Sequence, residues 1–134
     1  MTPRPKHPMP SEAELRILKV LWERQPLTAK SIYEQLNAKS KTPRVITTTM
    51  KLLEIMRGKN LVQRDESTWP HLYRAKVPRN TVLRRVVAET LDSVFDKSAS
   101  QFMLAALESG SVSATDIDRI KSMLEAYEEK RDDE

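Results

Sequence analysis

Arg44, Thr47, Thr48 and Lys51 stand at i, i+3, i+4 and i+7, the spacing that gathers four side chains on one face of a helix. Two cations and two hydroxyls in that arrangement suit nucleic acid. Lysine and arginine neutralise phosphates, arginine can meet a guanine edge with two hydrogen bonds, and threonine can address base edges and methyls. Lys41 and Thr42 lead into this stripe, and Arg64, Trp69, His71 and Arg74 follow it. A polar stripe is also what any solvated helix face looks like, so charge by itself favours the bland reading. The elements around the stripe decide.

Ser11-Glu12-Ala13-Glu14 has the form of a capping box, and Leu15, Ile17, Leu18, Leu21 and Trp22 continue it as an amphipathic helix to about Arg24. Pro26 breaks the chain, and Thr28 is placed to cap a second helix to about Ala38, with Ile32, Tyr33 and Leu36 inward. Thr42-Pro43 predicts the start of a third helix running to Gly58, because proline is well tolerated at the first helical position. Ile46, Met50, Leu53 and Met56 are its expected buried face, opposite the polar stripe. Residues 61–64 and 71–75 then read as two short strands joined by the loop 65–70. Three helices followed by a hairpin is the order of a winged helix-turn-helix, and Val77-Pro78 closes it. In that setting the stripe becomes a recognition face, with Arg64, His71 and Arg74 near the wing. Trp69, in the loop, is left open between a sugar contact and packing on the domain body.

The rest reads as helix. Asn80 or Thr81 caps a segment carrying Leu83, Val86, Val87, Leu91, Val94 and Phe95. A shorter helix from Ser98 to Glu108 ends before Gly110, and Ser113 to Asp116 repeats the capping-box form. Ile117, Ile120, Leu124 and Tyr127 follow at the spacing of a coiled-coil seam, with a charged tail from Glu128 expected to fray. So short a region has too little interior to stand alone, which makes these ten apolar residues the expected dimer contacts. The fold expected is mostly α with a small β wing. A basic arm (1–10) precedes a winged-helix DNA-binding domain (11–78) and a C-terminal three-helix dimerisation region (79–134).

Composition narrows the chemistry. Residues 1–80 hold 16 Lys/Arg against 7 Asp/Glu, a net of +9, while residues 81–134 hold 7 against 12, a net of −5. A basic front suits a polyanion that the acidic back would repel. There is no cysteine, and His7 and His71 have no ligand-like spacing, so no metal site is expected. With two glycines there is no phosphate-binding glycine loop, and no nucleophile stands beside a base; neither a catalytic residue nor a cofactor is expected. The first ten residues carry four prolines and no apolar core of a signal peptide, and no apolar run reaches membrane-spanning length. A cytoplasmic chain is the simplest expectation.

Glu14-Leu15-Arg16-Ile17-Leu18-Lys19-Val20-Leu21-Trp22, Pro26-Leu27-Thr28-Ala29, Thr47-Thr48-Thr49-Met50, Leu61-Val62-Gln63-Arg64 and Leu72-Tyr73-Arg74-Ala75, in this order, resemble the penicillinase-repressor family. The likeness is good over residues 11–76 and rests on helix pattern over 80–127. It implies a bacterial winged-helix repressor that binds a two-fold symmetric operator in double-stranded DNA as a homodimer. The third helix would enter the major groove and the wing would touch the adjacent backbone. The resemblance also implies a sensor protease or another inducer as a partner.

Three departures qualify it. Lys59-Asn60 stands where the family commonly has lysine and glycine, and asparagine is the next-best residue for a left-handed cap. The cysteine-rich motif of copper-responsive members is absent. Ala105-Ala106 aligns with the Asn-Phe pair at which penicillinase repressors are cleaved, so the same protease specificity is not expected. Two other function classes remain at this stage. One is a protein-interaction adaptor that uses the winged helix for docking; the other is binding of structured RNA, which the scarcity of aromatics disfavours.

Overall fold

The computed structural model describes residues 8–133, so most of the basic arm read from the sequence lies outside the described residues. Helix α1 (Glu12–Arg24) begins as expected. The Ser11 hydroxyl accepts from the Glu14 N–H at 3.2 Å, and Glu14 Oε1 accepts from the Ser11 N–H at 2.8 Å. Glu14, Ile17, Leu18 and Leu21 form its buried face at helical spacing. Thr28 caps α2 (Ala29–Ala38), accepting from the Ser31 N–H at 3.1 Å.

Helix α3 spans Ile46–Gly58 and begins later than Pro43. The side chain of Asn37 explains the delay. Its Nδ2 donates to the Arg44 carbonyl at 2.9 Å and its Oδ1 accepts from the Arg44 N–H at 3.3 Å, tying both backbone groups of Arg44 to α2. Arg44 therefore precedes the helix and does not share its face. The buried side also differs: Thr49, Leu53 and Met56 point inward, while Met50 is 53% exposed. The helix ends in a Schellman turn, with Leu61 N–H donating to the Met56 carbonyl and Asn60 N–H to that of Arg57. Asn60 takes the left-handed conformation at φ 65°, the role its sequence position suggested.

The wing is β2 (Val62–Asp65) and β3 (Leu72–Ala75), antiparallel, with Arg64 opposite Tyr73. A third strand that periodicity did not reveal, β1 (Leu27–Thr28), pairs with the other edge of β3, giving the order β1-β3-β2. Two side-chain bonds fix the base of the wing to the end of α1. Gln25 Oε1 accepts from the Ala75 N–H at 2.8 Å, and Trp22 Nε1 donates to the Val77 carbonyl at 3.0 Å.

Helices α4 (Arg79–Ser93), α5 (Ala99–Glu108) and α6 (Ala114–Asp132) follow, and α6 continues through the charged tail that was expected to fray. Ser98 caps α5, and Ser113 with Asp116 forms the second capping box. The chain divides into two compact units, Met1–Val87 and Ala88–Glu134. The first holds the core, built on Ile17, Leu18, Leu21, Ile32, Leu53, Met56 and Leu61, and it includes Val82 of α4. Burial of each such side chain stabilises by roughly 1.5–3 kcal/mol. In the second unit no described residue is buried, although Phe95 and Phe102 meet edge to face at 5.3 Å.

Candidate nucleic-acid interface

The outward face of α3 carries Thr47, Met50, Lys51 and Glu54, all exposed. Thr48 turns partly inward and lines a groove of about 530 Å³ with Lys41, Thr42 and Arg44. Four of the residues selected from the sequence thus come together in the groove, while Thr47 and Lys51 lie on the neighbouring helix face. The groove adds three cations that the stripe did not reveal: Arg16 and Lys19 from α1, and Lys39. Their signal was three-dimensional, since the first two belong to the exposed side of another helix.

From residue 37 to residue 51 the chain carries Lys39, Lys41, Arg44 and Lys51 and no carboxylate. None of the four forms an ion pair among the described residues. Cations with neither partner nor burial are hydrated and mobile, and a polyanion can take them up with release of its own counterions.

The wing is organised differently. Arg64 donates through Nε (2.9 Å) and Nη2 to Glu66 Oε1, and its side chain is 23% exposed. Arg57 of α3 also reaches Glu66, at 3.8 Å, and pairs with Glu54 at 2.9 Å. Arg57 was not singled out in the sequence, because its wing partner is non-local. The Glu66 carboxyl is held below its ordinary range by the Arg64 hydrogen bonds, and Arg64 is raised in turn. Asp65 Oδ1 accepts from the Ser67 hydroxyl (2.6 Å) and N–H (2.9 Å), which lower its pKa. Arg74 is exposed and His71 half-buried. Trp69 does not pack on the domain body: it is 85% exposed, and its ring meets that of His71 edge to face, with centroids 4.8 Å apart at 86°.

The residues expected at a dimer contact are spread over both units. Val86 packs against the winged-helix core and Leu83 is half-buried, while Val87 is 41% exposed. Leu91 and Phe95 are half-buried and Val94 is exposed. Ile117, Ile120, Leu124 and Tyr127 of α6 are all exposed, as are Met103, Leu104 and Leu107 of α5.

Among the described residues, no three His, Asp or Glu side chains gather to hold a metal ion, and no helix is long and apolar enough to cross a membrane.

Three helices, a short third strand and a wing, with an unpaired cationic segment at the third helix, define a winged helix-turn-helix of the DNA-binding class. The family model described as penicillinase repressor matches residues 10–126 of the 134, and the chain belongs to that family of DNA-binding transcriptional repressors. A comparison with curated proteins gives no match.

Proposed function

We propose that the chain represses transcription in the bacterial cytoplasm by binding a two-fold symmetric operator as a homodimer, with α3 in the major groove of each half-site. The observation that carries this reading is the segment 39–51, in which four unpaired cations lead onto the exposed face of α3. Lys41, Arg44 and Lys51 neutralise phosphates, while Thr47 and Thr48 address base edges, with Arg44 also able to reach guanine. Thr42 adds a hydroxyl beside Arg44. At the wing, Arg74 and His71 contact the backbone, and Arg64 would have to share its guanidinium with Glu66.

The second unit supports the dimer. Ile117, Ile120, Leu124 and Tyr127 are 39–67% exposed on one helix, in a unit with no buried residue. A second copy covering that surface gives the apolar contact the single chain lacks. Selection of bound duplexes from a random DNA pool at physiological salt tests the proposal. An inverted repeat is expected among the enriched sequences; enrichment of none by a folded sample would overturn it.

A further inference from the structure

The wing and the segment before α3 differ in how they can hold DNA. From Val62 to Ala75 the chain carries Arg64 and Arg74 against Asp65 and Glu66, a net charge of zero. Three of these four charges, Arg64, Asp65 and Glu66, are also engaged locally. Glu66 takes Arg64 and lies within 3.8 Å of Arg57, while Asp65 is bound by Ser67 and feels Arg74 and His71. Contacting phosphates through Arg64 would mean giving up an existing ion pair, so little net counterion release is available there.

The wing loop offers an indole instead. Trp69 is the most exposed of the large apolar residues among those described, at 85%, and its ring meets that of His71 edge to face. A single exposed apolar side chain is ordinary on a protein surface. This one lies in the wing loop, whose Glu66 stands 3.8 Å from Arg57 of α3. A tryptophan loses little rotamer freedom on binding, and it buries a large flat surface whatever the salt concentration.

Building on the repressor reading above, we propose that Trp69 packs its indole against the deoxyribose wall of the groove flanking each half-site. The wing loop then holds DNA by apolar contact, and the salt dependence of binding arises from Lys39, Lys41, Arg44 and Lys51, with Arg74 of β3 the one cation the wing adds. The two regions divide the interaction into an uncharged grip and an ionic one.

The test is the affinity of full-length protein for the duplex recovered from the DNA pool, measured at several salt concentrations. Trp69→Ala is expected to bind about ten-fold more weakly, with the slope of log K against log salt unchanged. Trp69→Phe should recover most of the loss. Lys51→Ala, the control, should lower the slope by about one. Thermal melting of Trp69→Ala should match the wild type, since the indole supports no core. Wild-type affinity in Trp69→Ala, or a loss accompanied by a slope reduced by one, overturns the proposal. Wild-type protein that binds no duplex would overturn the repressor reading, and this contact with it.

Discussion

Lys59 Nζ lies 2.8 Å from Glu14 Oε1, joining the C-cap of α3 to the first turn of α1. Glu14 is 1% exposed, and its Oε2 has no hydrogen-bond partner among the described residues. The single carboxylate thus completes the α1 capping box and anchors the end of α3. Removing one member of a buried pair leaves the other charged and unpaired, at a cost of about 3–5 kcal/mol, and Lys59 itself is partly solvated, which favours the lower end. Lys59→Met should therefore lower stability by about 3 kcal/mol in urea unfolding. Adding Glu14→Gln should restore part of that loss, because no bare charge is then left in the interior.

The same pair sets a pH dependence. Burial pushes the Glu14 carboxyl up, but the hydrogen bonds from Lys59 and Ser11 outweigh it and leave the group below its ordinary 4.5. A carboxyl lowered on folding contributes stability above its unfolded pKa and loses it as pH falls through the folded one. Wild-type stability should thus decline as pH falls below about 4.5. Asp65 and Glu66 are lowered as well and act in the same direction. In Lys59→Met the Glu14 carboxyl keeps its burial and loses its cation, so acidification from pH 6 to 4 should cost less than in the wild type. Urea midpoints at three pH values compare the two; parallel declines would contradict the assignment.

Asn37 pre-organises Arg44 by holding both of its backbone groups. Asn37→Ala should cost about 1 kcal/mol in stability for the lost hydrogen bonds. It should also weaken DNA binding several-fold, since Arg44 then has to be ordered on contact. Retained affinity in a folded Asn37→Ala protein would show that the position of Arg44 is immaterial.

Arg44 and Lys51 are both exposed and form no ion pair among the described residues. The double variant Arg44→Ala/Lys51→Ala should melt like the wild type and bind operator more weakly, with the salt slope reduced by about two. Gel-shift titrations at two salt concentrations are sufficient to read this.

Ile120 and Leu124 are 41% and 48% exposed on α6. Replacing both with glutamate should yield a monomer in sedimentation and leave the helical content intact. Persistence of the dimer would place its contacts elsewhere.

Local signals were the legible ones. Both capping boxes contain their partners within four residues, and Asn60 stood where the family resemblance implied a left-handed cap. The start of α3 was not legible, because Pro43 suits a first helical position and the contact that opposes it comes from Asn37, seven residues away in sequence. Met50 was read as core because methionine is apolar in any setting; packing placed the β-branched Thr49 inward instead. Two-residue β1 is too short for any period, and its pairing of Leu27 with Tyr73 is set by the fold. In the candidate interface, charge type could be read from the sequence but charge pairing could not. Arg64 and Arg44 look alike along the chain, yet one is bound to Glu66 and the other is unpaired.

The most direct measurement is sedimentation of full-length protein on labelled duplexes carrying either the whole recovered site or one half of it. Two chains on the whole site, spaced about one helical turn or roughly 34 Å apart, and much weaker binding to the half-site are the predicted result. One chain per duplex, with equal affinity for whole and half sites, would contradict the dimeric repressor.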